Sequence, residues 1–304
     1  MFSFLRVASC FAVFFCFQSF AAHRVLAVGN DKLLVVAQDG KVTWEMPLKG
    51  GTHDLHVLPN GNYLAIRDAK VVVEIDPKTK SEVWQYNAAE KYEKPIEIHA
   101  VQPLPNGNVM IAESGPSRII EVDRSGKVVA EIPFKLAQPD PHRDTRLARK
   151  LSNGNYLVAH EGEGVIREYN KSAEVVWEFA VPTFGKDPKP GHGPEAFGNQ
   201  SFSAIRLENG NTLVGTGNGH SILEVTPKKR IVWELHQNDL PDITLAWITT
   251  LEVLPNGNFV IGNCHAGPGQ PQIVEVEPKS KNVVWKFEQF ELLGNDLTNS
   301  VLLD

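Results

Sequence analysis

The stretch "THDLHVLPNGNYL", residues 52–64, returns four times in altered form: "IHAVQPLPNGNVM" at 98–110, "RLARKLSNGNYL" at 146–157, "SFSAIRLENGNTL" at 201–213 and "TTLEVLPNGNFV" at 249–260. The turn glycines are Gly61, Gly107, Gly154, Gly210 and Gly257, spaced by 46, 47, 56 and 47 residues. Trp84, Trp177 and Trp233 each stand 22 residues after the second Asn of their turn, with Ala130 in that place in the second copy. Trp285 stands 27 after, the excess falling within the segment "HAGPGQPQ". A repeat of this length built from short segments is the signature of propeller blades.

Each copy reads as four strands. "DLHVL" is innermost, "NGN" turns where Asn and Gly tolerate positive φ, and "YLAIR" returns. "KVVVEID" follows, then the turn "PKTKS" and the outermost "EVWQY". Alternating apolar and polar residues favour strands throughout, and no window shows helical periodicity. The outer-strand Trp is expected to pack between neighbouring blades. His23–Met46 supplies a second, third and outer strand with Trp44 in register, but no first strand. The terminal "LTNSVLLD" supplies an inner strand with nothing after it. Joined, the two make a sixth blade and remove an exposed sheet edge. The expectation is all-β: one six-bladed propeller of four-stranded antiparallel blades over residues 23–304, closed by a blade shared between the termini.

The chain has 304 residues, 42% hydrophobic and 22% charged, enough for a sizeable core. Net charge is −6 and no Lys/Arg block occurs, which argues against nucleic acid and anionic membrane as partners. "MFSFLR" followed by the apolar "VASCFAVFFCFQSFAA" reads as a signal peptide over residues 1–22, with cleavage after Ala21 or Ala22. The apolar run is short for a span, so no stable membrane insertion is expected, and the mature chain is expected to be exported and monomeric. Cys10 and Cys16 would leave with the leader, so Cys264 alone would remain, excluding an internal disulfide. It reads first as a small buried residue.

The segments "DPKTKSEVW", "AQDGKVTWE" and "EPKSKNVVW" resemble the Trp-containing repeat of quinoprotein-like propellers. The phrase "HDLHVLPNGN" and the later "NGNTLVGTGNGHSILEV" resemble the arylsulfotransferase-like propeller family, mostly bacterial and exported. The resemblance covers the whole mature chain. It implies a propeller, and sulfuryl transfer as a class, by a catalytic His among further His and Arg residues. It assigns the nucleophile to no position. The adjacent Cys pair of many quinoprotein dehydrogenases is missing, so pyrroloquinoline quinone is not expected. The extra N-terminal domain of full-length arylsulfotransferases is missing too.

Structural residues recur in every blade, so functional residues are sought where the repeat breaks. Seven residues before the first Asn of each turn stand His53, His99, Arg146, Phe202 and Thr249, where the chain enters the channel mouth. Five after the second Asn stand Arg67, Glu113, His160, Thr216 and Asn263, at second-strand ends on the same face. His220, His265, His192 in the long connection 182–200, and Trp247 belong to that face, as do His142 and Arg143. His53, His99, Arg146 and His160 are the candidate catalytic residues; His220, His265, Arg67, Glu113, Trp247 and His192 are candidate ligand contacts. Trp247 stacks on a ring or plugs the axis. The opposite face, with its short turns, reads as chemically plain, and His56 as structural.

Arg offers a donor fork suited to sulfate, phosphate or carboxylate, and His an acid, base or nucleophile. The expected partner is therefore a small anionic, sulfated or phosphorylated molecule, with no cofactor. Two alternatives stay open: a binding propeller without chemistry, and a metal-dependent lyase or hydrolase using the His cluster. Removing channel-mouth side chains is expected to leave stability nearly unchanged, and the connection 182–200 is expected to cover the site.

Overall fold

A computed structural model describes residues 23–50 and 52–303; the leader reading of residues 1–22 lies outside them. The strands form six four-stranded antiparallel sheets, the all-β six-bladed propeller expected. We number the blades 1 to 5 by their "NGN" turns and call the shared one blade 6. The innermost strands are Leu55–Val57, Glu97–Pro103, Ala148–Lys150, Ser203–Arg206 and Trp247–Val253 in blades 1 to 5. In blade 6 the innermost strand is Asn299–Leu302, which pairs antiparallel with Val25–Gly29, Ala27 opposite Ser300. Helix among the described residues is limited to Ala88–Glu90, Gly217–Gly219 and Phe290–Leu293.

The "NGN" turns are alike. Gly61 has φ +87°, a conformation open to glycine at little cost, and its equivalents lie within a few degrees. Asn62 N–H donates to the Asn60 side chain, closing the turn from within. The same Asn residues do a second job. Asn60 and Asn62 both donate to Glu74 in the third strand of their own blade, at 3.1 and 2.6 Å, and Arg124 of blade 2 donates to that carboxylate from outside. Asn153, Asn155 and Arg206 repeat this around Glu168. Trp84 Nε1 donates to the Arg124 carbonyl of the next blade at 2.9 Å, as Trp44, Trp177 and Trp233 do to Pro77, Pro227 and Pro278. The repeated Trp thus latches one blade to the next at four of the six junctions, and packing is only part of its role.

The core lies between blades, where Leu64, Ile66 and Val72 of blade 1 meet Ile98, Val101 and Ile111 of blade 2. A middle strand therefore has a blade on either side and is buried on both faces, as Val25–Gly29 is throughout. The alternation expected everywhere survives mainly in outermost strands such as Val42–Pro47. One further expectation is corrected. The channel end opposite the candidate mouth is polar: Asp54, fully buried, accepts from Arg149 at 2.6 and 2.9 Å, and His56, Arg149, Glu252 and Ser300 line a cavity of about 210 Å³ there.

Candidate functional site

The residues that break the repeat lie where the innermost strands begin, and there the strands are irregular. In blade 2 the pairing with the second strand shifts register between Ile98 and Ala100, so His99 is the extra residue of a bulge. A bulge re-aims its side chain. In blades 1 and 3 the innermost strand starts only at Leu55 and Ala148, leaving His53 and Arg146 on the approach to it.

The structure brings these three together. The rings of His53 and His99 meet edge to face at 4.7 Å, and the His99 ring lies 5.7 Å from that of His142. Phe202, from the equivalent place in blade 4, lies 5.9 Å from His53 and 5.8 Å from the Arg146 guanidinium. Arg146 is buried and donates through Nε to the equally buried Glu161 and through Nη2 to Nε2 of His142 at 3.1 Å. An acceptor role at Nε2 leaves the His142 proton on Nδ1, which donates to Glu97 at 2.8 Å. Glu97 also lies 3.0 Å from Nε2 of His99, whose Nδ1 donates to the Thr145 carbonyl at 2.8 Å.

Charge follows burial here. Desolvation and then the Arg146 cation push the His99 pKa down to about 4, and burial followed by His99 and Arg146 pushes His53 well below the usual range. Both rings are therefore neutral near pH 7. Burial works to raise Glu97, but its close contacts with His142 and His99 outweigh it and hold the carboxylate below its ordinary range. Two buried nitrogens in this group, Nδ1 of His53 and Nη1 of Arg146, have no protein partner.

A second group gathers at blade 5. His192, exposed on the long connection, meets Trp247 edge to face at 4.7 Å and lies 5.1 Å from His265. Trp247 is buried with Leu147, Phe202 and Cys264, so it fills the axis. Burial raises the Cys264 thiol strongly and, with the neighbouring His192, lowers His265. Phe202 thus stands between the two groups.

Four candidates go elsewhere. Arg67 pairs with Glu82 and Asp68, away from the channel. Glu113 is fully buried and pairs with Arg118 and Tyr86; burial raises its pKa against the pull of Arg118. His220 spends both ring nitrogens on the carbonyls of Ala246 and Ala196, tying the connection 182–200 to blade 5. His160 donates from Nδ1 to the Asp144 carbonyl at 2.6 Å and accepts the Tyr169 hydroxyl at 2.9 Å. The second strand lies one strand spacing outside the first, so its end points between blades and misses the axis. Glu97, His142 and Glu161 were not singled out as site residues from sequence. The first and last had signals, since Glu97 stands two before His99 and Glu161 directly follows His160.

His160 carries a pH dependence. Burial lowers its pKa from 6.5 to about 4, so the native state takes up the proton later than the unfolded chain. Stability is then complete above pH 6.5 and falls as pH drops from 6.5 to 4, by about 3 kcal/mol at 1.36 kcal/mol per unit. Urea midpoints across that interval are expected to fall less steeply in His160→Gln; equal slopes would refute the assignment.

With the geometry in place, its likenesses are informative. The protein-family model described as "Outer membrane protein assembly factor BamB" matches residues 26–289. No curated protein matches the chain. Among solved structures, a protein of unknown function from Bacteroides caccae is 24% identical with a TM-score of 0.75, covering 93% of this chain and 99% of its own. A streptogramin B lyase is 12% identical with a TM-score of 0.57, over 85% of this chain and 76% of its own. A virginiamycin B lyase from Staphylococcus aureus is 16% identical with a TM-score of 0.56, over 85% and 78%. At these identities the structural likenesses speak for the fold alone. The matched span covers most of the repeat, and the chain belongs to this BamB-like family of quinoprotein-type propeller repeats.

Proposed function

We propose that this exported propeller captures a small anionic molecule, sulfated, phosphorylated or carboxylated, at the mouth formed by His53, His99, His142 and Arg146. The observation that carries this reading is the pair of buried, unpartnered nitrogens, Arg146 Nη1 and His53 Nδ1, on side chains that lie 5.8 and 5.9 Å from Phe202; with the His53 proton on Nδ1 both donate. A buried donor without an acceptor costs about 1–3 kcal/mol, and an anionic oxygen placed between the two removes that cost. Phe202 offers an apolar floor for the rest of the molecule. Neutral His53 and His99 suit proton acceptance, so sulfuryl-type transfer or hydrolysis is the chemistry this site would support.

Calorimetry with sulfate, phosphate and an aryl sulfate tests it. Arg146→Ala is expected to weaken binding by about 1.5–3 kcal/mol, the range for a hydrogen bond to a charged group. That variant also strands buried Glu161, so its melting temperature falls too, contrary to the sequence-based expectation of unchanged stability. His53→Ala separates the two effects, because the free Nδ1 loses no partner there. It is expected to weaken the anion and leave melting nearly unaltered. If both variants bind anions as well as the parent protein does, the mouth is not an anion site. Turnover of the aryl sulfate, abolished in His99→Ala with binding kept, would mark an enzyme; no turnover would mark a binder.

A further inference from the structure

The hydrogen-bond inventory around Glu97 leaves one contact without a proton. The Thr145 carbonyl only accepts, so its 2.8 Å contact with Nδ1 of His99 places the ring proton on Nδ1. Ser114 Oγ, 3.2 Å from the same nitrogen, does not reverse this. It accepts the Thr145 N–H at 3.1 Å and has Thr145 Oγ1 at 3.3 Å as a partner for its own proton. Nε2 of His99 therefore presents a lone pair, and it faces a carboxylate oxygen of Glu97 at 3.0 Å. Two acceptors at that separation repel unless something positive lies between them. Nδ1 of His142 converges on the same oxygen at 2.8 Å, and the three ligand atoms all lie within 4.8 Å of one another.

We propose that Glu97, His99 and His142 bind one divalent first-row transition-metal ion of the zinc class. Two imidazoles and a carboxylate are the donor set such ions favour, and three protein ligands leave a position open. Bonds of about 2.0–2.1 Å in a tetrahedral site put neighbouring ligand atoms about 3.3 Å apart, so the contacts of 2.8 and 3.0 Å need only a slight opening. Thr145 already supplies the outer hydrogen bond that orients a ligating His, holding the His99 ring with Nε2 inward. His142 is half exposed on a connection and has room to adjust. Binding through Nδ1 moves its proton to Nε2, which then meets the Arg146 Nη2 donor at 3.1 Å. Arg146 must turn that nitrogen away, which adds a second free donor beside Nη1. Metal loading therefore strengthens anion binding, and by linkage the anion strengthens metal binding by the same factor. This coupling rests on the anion reading above; the metal site does not.

The test uses the whole protein after chelator treatment, titrated with zinc in a non-coordinating buffer without sulfate or phosphate. Cobalt absorption spectra report ligand geometry in parallel. One ion per chain is expected, weakened by about tenfold or more in both Glu97→Gln and His142→Ala. Neither substitution removes a fully buried side chain, and melting curves verify the fold. His192→Ala, in the rival His192 and His265 group, is expected to leave zinc affinity unchanged. No zinc bound, a ring that merely takes a second proton, would overturn the site. So would equal affinity in both variants, or loss confined to His192→Ala. Sulfate is then titrated into the chelated and the zinc-loaded protein. Zinc binding without any sulfate binding would sink the anion reading and leave the metal site standing.

Discussion

Deletion of Leu297–Asp304 is expected to abolish the cooperative melting transition. These residues carry the innermost strand of blade 6, Asn299–Leu302, and without it Val25–Gly29 becomes an open edge on the channel. The loss extends past one sheet. Leu297 is fully buried, and Val301, Leu302 and Leu303 pack into the cores on either side of blade 6. Asn299 donates to the His53 carbonyl, Thr298 to that of Thr52, and Ser300 N–H to Thr250 of blade 5. The segment thus ties blade 5 to blade 1 through blade 6. Burying apolar side chains of this size contributes about 1.5–3 kcal/mol each, so the sum approaches the whole stability of an ordinary domain. Circular dichroism of the truncated chain should show a broad, weak transition. A sharp transition within a few degrees of the intact protein would mean that the ring does not depend on this closure.

The closure was legible because each end of the chain lacks what the other supplies. His23–Met46 has three strands and no first one, and "LTNSVLLD" is a first strand with no successors. The convergence of His53, His99 and Arg146 was legible for a related reason: a repeat makes its exceptions visible, and symmetry sends equivalent positions to one axis. That argument weakens one strand out. Arg67, Glu113 and His160 are exceptions by the same count, yet they serve ion pairs and hydrogen bonds of the scaffold. Only the innermost strand faces the channel, and sequence position alone does not show which way a strand end turns. His142 was recognised as lying on the right face but not as a member of the site, because its connection has no counterpart in other blades to compare. The bulge at His99 left no mark in the sequence at all.

Asp54 belongs to the opening phrase "THDLHVLPNGNYL", and its role shows why the far end of the channel was misjudged. Its carboxylate accepts from both Nη atoms of Arg149 in blade 3, from Val101 N–H of blade 2 and from Leu55 N–H of its own blade. One fully buried side chain therefore joins three blades beside the axis. Asp54→Ala is expected to cost about 3–5 kcal/mol, the range for breaking a buried pair, because it strands Arg149 and an inner-strand N–H together. Asp54→Asn should recover only part of this, since an amide replaces one acceptor oxygen with a donor facing the guanidinium. Acid offers an independent check. Burial works to raise the Asp54 pKa, but Arg149 and His56 outweigh it and hold it at about 2, against 3.8 for the ordinary group. The folded pKa is depressed, so this contribution is present above pH 3.8 and is lost as pH falls towards 2, amounting to about 2 kcal/mol. The parent protein should therefore lose stability across that interval more steeply than Asp54→Asn does. Matching slopes, or a melting temperature in Asp54→Ala close to the parent value, would show that the three blades are held at the axis by packing alone.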